Sequence, residues 1–214
     1  MEPKLAVRKI RVLIVDDHPM VRDGVLSSVR SQPDMEVVGE ATSGKEAVEH
    51  YPQVRPDITL MDLRLPDMSG NEAIVKIREM FSNARFIVLT TYQGDVQAVR
   101  AFKAGAMAYL LKSSLRKDLL NTIRAVHSGR KVIPPDIAAA MASHMDEDEL
   151  SPRELQVIRH VAEGLSNKLI ADRLCLSPDT VKSHLANTMA KLNANDRTHA
   201  VTIAIKRGYF DLDA

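Results

Sequence analysis

Five polar residues in the first half of the chain stand at the ends of short apolar runs: Asp16, Asp17, Asp62, Thr90 and Lys112. If those runs are parallel strands, the five residues lie at one edge of the sheet, where open α/β sheets bind ligands. Carboxylates held together repel one another, which favours a divalent cation, and hard oxygen ligands favour Mg²⁺. A lysine and a hydroxyl at the same place suit a phosphoryl group. One carboxylate could then act as a nucleophile and become an acyl phosphate.

The elements that must position these residues alternate between strand and helix patterns. Continuous apolar runs of this kind are typical of strands buried on both faces, as in a parallel sheet. The alternation predicts a doubly wound α/β domain with right-handed crossovers and a five-stranded parallel sheet. The predicted strands are Val12–Val15, Glu36–Ala41, Ile58–Met61, Phe86–Leu89 and Ala108–Leu111, and helical spacing covers 20–31, 44–52, 71–80, 95–104 and 115–127.

Strand patterns stop after Gly129, and the chain from Leu150 onward is predicted to be entirely helical. Ser151-Pro152-Arg153-Glu154 is a capping box with proline at the first helical position. Further helix starts are expected at Ser166, at Ser177 and at Asn195-Asp196. Four short helices, two of them joined by a tight turn, indicate a helix-turn-helix module. The predicted domains are therefore 1–128 and 150–214, with a linker at 129–149.

The third of these helices, at 178–192, separates two faces. Its apolar residues predict an inward face made of Val181, Leu185, Thr188, Met189 and Leu192. Lys182, Ser183, Ala186, Asn187 and Lys191 are then expected to face outward. Lysine, small residues and an amide on one face fit a DNA major groove, although a solvated helix face carries the same pattern. The segment 164–207 holds seven basic residues against three acidic ones, which is a modest basic face.

Composition limits the class of protein. The 214 residues include 29 Lys+Arg and 28 Asp+Glu and are 45% hydrophobic, which excludes a mainly disordered chain. The single cysteine, Cys175, excludes an internal disulfide and a cysteine-rich zinc site, and its apolar surroundings predict a core position. No apolar run approaches the roughly 20 residues that span a bilayer, so we expect a cytoplasmic protein without a membrane partner.

The motifs of the first half resemble the receiver domain of bacterial two-component response regulators. They are Val15-Asp16-Asp17-His18, Met61–Gly70, Leu89-Thr90-Thr91 and Tyr109–Lys112, and the likeness covers 8–128. It implies a flavodoxin-like fold in which Asp62 accepts phosphate from a cognate histidine kinase. It also implies that Mg²⁺ binds Asp17, Asp62 and the backbone carbonyl of Arg64, with Asp16 acting through water. Thr90 and Lys112 would contact the phosphoryl oxygens, and Tyr109 would turn inward as a switch residue. Arg64 and Tyr92 stand where family members tune hydrolysis of the acyl phosphate.

The motifs of the second half resemble the LuxR-type helix-turn-helix, so the whole chain is similar to the NarL/FixJ class of response regulators. They are Leu150–Glu154, Gly164–Lys168, Ile170-Ala171 and Thr180–Leu192. The resemblance implies binding to double-stranded promoter DNA as a homodimer when phosphorylated, with the dimer contact on the last helix, 196–208. Lys182, Ser183 and Ala186 would face base edges, with Asn187 on the same exposed side. Residues implied to face the DNA backbone are Asn167, Lys168, Thr180, His184 and Lys191.

One residue departs from the pattern of this family, and two other functions can be compared with the one that the resemblance implies. Leu169 replaces the usual acidic residue, so Ser166 loses its capping box, or Leu169 has gained a docking contact. An aspartyl-phosphate phosphatase would need an acid/base aspartate two residues after Asp62, where this chain has Arg64, so we expect no enzyme. A regulator that binds DNA without phosphorylation, with the receiver only as a dimerisation scaffold, is the alternative.

Overall fold

The computed structural model describes residues 8–91, 94–143 and 149–210. The chain divides into two compact units, one of Met1–Tyr92 with Ala98–Pro135 and one of Gln93–Gln97 with Asp136–Ala214. Each unit is considered by itself below. Among the described residues, no helix combines the length and the apolar character needed to span a membrane.

The first unit is built on a parallel sheet. Its strands in the described residues are β1 (Ile10–Val15), β2 (Met35–Ala41), β3 (Ile58–Asp62), β4 (Phe86–Thr90) and β5 (Ala108–Leu111). They pair in parallel in the order β2-β1-β3-β4-β5, as predicted for a doubly wound fold. All five predicted strands are confirmed, four of them longer by one or two residues.

Five helices follow these strands in turn along the chain, and the fourth begins in residues that are grouped with the second unit. They are α1 (Pro19–Arg30), α2 (Gly44–Val54), α3 (Gly70–Met80), α4 (Asp95–Ala104) and α5 (Leu115–His127), and a short 3₁₀ turn spans Lys112–Ser114. One core is formed where α1 and α5 cover a face of the sheet, with Val29 and Ile123 fully buried in it. Val132, at the start of the predicted linker, packs against that core and bridges to Ala108 in β5.

The second unit is helical in its described residues. After α6 (Pro135–Ser143) come α7 (Pro152–Ala162), α8 (Asn167–Leu174), α9 (Pro178–Lys191) and α10 (Arg197–Lys206). The predicted start signals are confirmed, because the side chains of Ser151, Ser166, Ser177 and Asp196 cap α7 to α10. The apolar faces of these helices share one buried core that includes Ile158, Ile170, Val181 and Ala200.

Two predictions about single residues of this unit concern Cys175 and Leu169, and the one about Cys175 is wrong. Cys175 is exposed and is not a core residue, because α8 ends there in a left-handed turn with φ of 53°. Leu169 is 52% exposed, so its side chain is not buried in the core of this unit. Its backbone N–H still donates to Ser166 Oγ at 3.4 Å, so the helix cap survives without the acidic partner. Tyr92 lies outside the described residues, and so does the acidic patch at 146–149 apart from Glu149.

Candidate functional site

The carboxyl ends of β1, β3, β4 and β5 bring the predicted polar residues to one edge of the sheet. Asp62 is paired in register with Leu89, and Thr90 with Leu111, so Thr90 lies between the strand ends that carry Asp62 and Lys112. Asp16 directly follows β1 and is held there by a backbone hydrogen bond from its N–H to the carbonyl of Ala41. The topology therefore assembles the site as the sequence predicts.

Lys112 connects two of the carboxylates. Its Nζ lies 2.6 Å from Asp62 Oδ2 and 2.8 Å from Asp16 Oδ2. All three side chains are nearly inaccessible to solvent, at 9% for Lys112, 3% for Asp62 and 0% for Asp16. A buried lysine that bridges two carboxylates leaves their charge only partly balanced, because the two negative charges exceed its one.

The titration of this group follows from burial and charge. Burial raises the pKa of Asp62, and the repulsion from Asp16 adds to that rise, while the hydrogen bond from Lys112 opposes it. Burial alone would lower the pKa of Lys112, but its hydrogen bond to Asp62 and its ion pair with Asp16 outweigh burial and the pKa rises. The lysine is therefore held as a cation beside a carboxylate that is costly to ionise.

The carboxylates also form a donor set for a metal ion. Asp16, Asp17, His18 and Asp62 each offer one ligand atom, and these atoms all lie within 4.8 Å of one another. Carboxylate oxygens in this number and spacing fit a divalent cation such as Mg²⁺. Arg64 lies beside them, since its backbone N–H donates to Asp62 Oδ1 at 3.2 Å. The role of its carbonyl as a ligand stays a prediction.

His18 is the member of this cluster that the sequence reasoning did not select. Its Nδ1 lies 2.7 Å from Asp17 Oδ1, 3.3 Å from Asp16 Oδ1 and 3.8 Å from Asp62 Oδ2. The signal that could have found it is its place directly after Asp16-Asp17, where the chain turns from β1 into α1.

Gly70 allows the loop after β3 to pass close to the backbone of Asp62. A Cβ at Gly70 would lie 2.1 Å from the carbonyl oxygen of Asp62, closer than any side chain tolerates. The N–H of Gly70 donates to the carbonyl of Leu63 at 2.9 Å, which closes the loop. Gly70 thus determines how tightly the segment after Asp62 folds back, a constraint that no spacing rule for site residues reveals.

Tyr109 lies next to this site on β5, opposite Val88 of β4. Its side chain is fully buried and shares a hydrogen bond with Thr90. Burial raises the pKa of the Tyr109 phenol to about 12, with the hydrogen bond from Thr90 opposing the rise. The ring is therefore already turned inward in this structure, where it contacts Thr90, and its predicted role as a switch residue stays a prediction.

The second unit presents the predicted DNA-reading helix, α9, with two distinct faces. Val181, Leu185, Thr188 and Leu192 are buried, as predicted for the inward face. The side chains exposed on the opposite face are those of Lys182, Ser183, Ala186 and Asn187. Of the residues predicted to meet the DNA backbone, Lys168 is exposed, while Asn167, Thr180 and His184 are half-buried.

Lys191 requires a correction, because its amine is not free on the outward face. Lys191 Nζ lies 2.9 Å from Glu154 Oε2 and 3.1 Å from the carbonyl oxygen of Glu149. Glu154 Oε2 also accepts the backbone N–H of Ser151 at 2.7 Å, so the lysine is part of the cap of α7. In this structure Lys191 joins the end of α9 to the start of α7, and its contact with the DNA backbone stays a prediction.

Comparison with known proteins matches both halves of the chain. The family model described as the response regulator receiver domain matches residues 12–124. The model of bacterial regulatory proteins of the luxR family matches residues 148–204. The response regulator protein VraR of Staphylococcus aureus is 38% identical over 202 residues, which cover 92% of this chain and 97% of VraR.

Solved structures agree with these matches. A LuxR-family two-component response regulator from Aurantimonas is 40% identical with a TM-score of 0.61, covering 65% of this chain and 99% of that one. The response regulator RcsB in complex with DNA is 25% identical with a TM-score of 0.68, covering 93% of this chain and 99% of that one.

Proposed function

Because this chain belongs to the response regulators that join a receiver domain to a LuxR-type DNA-binding domain, we propose that phosphorylation of Asp62 controls its binding to promoter DNA. The phosphoryl group would come from a phosphohistidine of a cognate histidine kinase or from a small acyl-phosphate donor. The observation that carries this proposal is the buried contact of 2.6 Å between Asp62 and Lys112, beside the carboxylate of Asp16.

The transfer itself is a substitution at phosphorus. A carboxylate oxygen of Asp62 forms a bond to phosphorus while the bond from phosphorus to the donor's nitrogen or oxygen breaks. The leaving group keeps the bonding electron pair, so the step needs no oxidant or reductant. Lys112 would stabilise the charge that moves onto the phosphoryl oxygens, and the Thr90 hydroxyl would contact one of them.

A divalent cation would balance the excess negative charge at this site. The donor atoms of Asp16, Asp17 and Asp62 lie close enough together to hold one, and their oxygen chemistry suits Mg²⁺. We assign direct contacts to Asp17, Asp62 and the carbonyl of Arg64, and a water-mediated contact to Asp16. When bound, the ion neutralises negative charge on the incoming phosphoryl oxygens.

The switch would act through Thr90 and Tyr109. Phosphorylation gives the Thr90 hydroxyl a new partner on the phosphoryl group, and Tyr109 already shares a hydrogen bond with Thr90. A shift of Thr90 therefore changes the packing of the Tyr109 ring, which is an adjustment between two discrete arrangements rather than a gradual one. We propose that this change increases the population that dimerises and binds DNA.

On the DNA side, we propose that α9 enters the major groove with its exposed face toward the bases. Lys182, Ser183, Ala186 and Asn187 would lie along base edges, and Ala186 offers a methyl group suited to thymine. Asn167, Lys168, Thr180 and His184 would contact the DNA backbone. A homodimer formed through α10 would read two half-sites related by two-fold symmetry.

The alternative is a regulator that binds DNA whether or not Asp62 is phosphorylated. The buried Asp16–Lys112–Asp62 group favours the phosphorylated switch, because burying these charges is costly for a unit that serves only as a scaffold. The family is one of DNA-binding regulators rather than typical enzymes. We also propose that the protein acts in the cytoplasm, where its DNA and its kinase partner would be available to it.

Incorporation of phosphate from a radiolabelled acyl-phosphate donor in the presence of Mg²⁺ tests this function. We expect the wild-type chain to be labelled and Asp62→Ala to carry no label. Asp23→Ala, which removes an exposed aspartate on α1, is the matched control and should be labelled like the wild type. Retention of label by Asp62→Ala would contradict the assignment of the acceptor.

A further inference from the structure

The imidazole of His18 lies among the carboxylates of the site although it is 60% exposed to solvent. Its Nδ1 is within 3.8 Å of a carboxylate oxygen from each of Asp16, Asp17 and Asp62. An imidazole nitrogen is a strong ligand for divalent transition metals, whereas carboxylates alone suit Mg²⁺. His18 therefore changes the chemical character of the donor set.

The local backbone holds the imidazole in this position. The N–H of His18 donates to Asp16 Oδ1 at 2.9 Å, and Pro19 begins α1 directly after it. A residue at a helix N-cap often uses its side chain to cap the first turn. His18 occupies that position with extended backbone, but its side chain makes no capping hydrogen bond. The imidazole is thus available to the cluster instead of the helix.

An ion pair with Asp17 alone explains less of this geometry. That pair would account for the distance of 2.7 Å to Asp17 but not for the approach to the other two carboxylates. Around a six-coordinate ion with bonds of 2.0 to 2.2 Å, neighbouring ligand atoms are about 3 Å apart and opposite ones about 4.3 Å. The distances of 3.3 Å and 3.8 Å from His18 Nδ1 fall between those of neighbouring and of opposite ligand atoms of one ion, and the 2.7 Å to Asp17 Oδ1 is the shorter distance of a direct contact between the two side chains.

We propose that His18 Nδ1 is a ligand of the divalent ion that Asp17 and Asp62 bind directly and Asp16 binds through water, and that it shifts the site toward Co²⁺ and Ni²⁺ relative to Mg²⁺. The inference rests on the proposed function only in that the same carboxylates hold a metal ion. It adds a nitrogen ligand and a metal preference that the carboxylates alone do not give.

Calorimetric titration of the full-length wild type and His18→Ala with CoCl₂ and with MgCl₂ tests the preference. We expect the substitution to weaken Co²⁺ binding by about tenfold or more, because a nitrogen ligand is lost, and to change Mg²⁺ binding by less than about threefold. His127→Ala, which removes an exposed imidazole at the end of α5, should leave both affinities unchanged. His18→Gln keeps a side chain of similar size and should behave like His18→Ala for Co²⁺.

Pulsed electron paramagnetic resonance on the Mn²⁺-loaded protein gives a second readout that does not depend on affinity. A ¹⁴N coupling in the wild type that disappears in His18→Ala supports direct ligation. Equal affinities of wild type and His18→Ala for Co²⁺, or the absence of a ¹⁴N coupling in the wild type, would overturn the inference. If the wild type still binds Mg²⁺ in that case, the proposed function is not affected. A wild type that binds neither ion would overturn both.

Discussion

Each unit of the protein buries a carboxylate beside a lysine, and the two pairs differ in what surrounds them. In the first unit Asp62 and Lys112 are 2.6 Å apart, and in the second Glu154 and Lys191 are 2.9 Å apart. Burial raises the pKa of Asp62 because the lysine does not fully offset it, and Asp16 adds repulsion. Burial pushes the pKa of Glu154 up as well, but Lys191 and the N–H of Ser151 outweigh it and the pKa is lowered.

The difference separates a site poised for a ligand from a structural contact. Glu154 has its negative charge matched by one lysine and its oxygen matched by a backbone donor, so nothing further is needed. Asp62 shares its lysine with Asp16 and lies close to Asp17 and His18. The negative charge left over at the first site is what a bound cation would balance, and that cation would in turn attract a phosphoryl group.

Removing the lysine should break the first site most severely. Lys112→Met leaves the carboxylates without the amine that bridges Asp16 and Asp62, so we expect phosphorylation by an acyl-phosphate donor to slow by about 10²-fold or more. Rates of label incorporation measure this effect. Lys117→Met removes an exposed lysine of α5 and should leave the rate unchanged. A normal rate in Lys112→Met would mean that the buried amine has no part in the transfer.

Removing the charge from the second pair should cost stability and not chemistry. Glu154→Gln leaves Lys191 without its ionic partner, and we expect the free energy of unfolding of the helical unit to fall by about 1–3 kcal/mol. Hydrogen exchange of the full-length chain in α7 and α9 measures this loss. Glu163→Gln breaks an exposed pair with Arg173 and should have a smaller effect. An equal effect of both substitutions would show that burial of Glu154 does not matter.

The lowered pKa of Glu154 predicts a pH dependence of the same unit. Its contribution to the free energy of unfolding is complete above the ordinary carboxyl pKa of 4.5 and is lost as pH falls through the lower folded value. The free energy of opening of α7 and α9, obtained from hydrogen exchange after division by the intrinsic exchange rate at each pH, should therefore fall more steeply below pH 4.5 in the wild type than in Glu154→Gln. Parallel curves for the two proteins would contradict this account of Glu154.

A further pH dependence is expected from the buried phenol next to the first site. The folded pKa of Tyr109 is about 12 against an ordinary 10.0, so its neutral form contributes stability that is lost as pH rises between these values. Alkaline unfolding of the wild type should be steeper over that interval than unfolding of Tyr109→Phe. Absorbance of ionised tyrosine, followed in both proteins, should show the last-titrating phenol only in the wild type.

The fold and most of the site follow from local sequence patterns. Short apolar runs alternating with helical spacing require a parallel sheet, and the rule that ligands bind at its carboxyl edge brings Asp16, Asp62, Thr90 and Lys112 together. The start of α7 could be predicted equally well, because Ser151 and Glu154 form a local capping motif within one helical turn. These features depend on neighbours in sequence, which a pattern can capture.

The features that sequence reasoning missed depend on contacts between distant segments. An outward-facing lysine is compatible with DNA and with an ion pair, and the partner of Lys191 is 37 residues away. The need for glycine at residue 70 comes from the backbone of Asp62, which only the folded loop brings close. Cys175 lies in an apolar stretch but takes a left-handed conformation, because α8 must end there before α9 begins.

The central claim is that phosphorylation of Asp62 controls DNA binding, and one experiment tests it most directly. Binding of the full-length protein to fragments of its own genome is measured with and without an acyl-phosphate donor and Mg²⁺, with the oligomeric state followed in the same samples. We predict binding about tenfold tighter or more with the donor, accompanied by dimer formation, and neither change in Asp62→Ala. Equal binding with and without the donor would contradict the claim and leave the receiver unit as a scaffold.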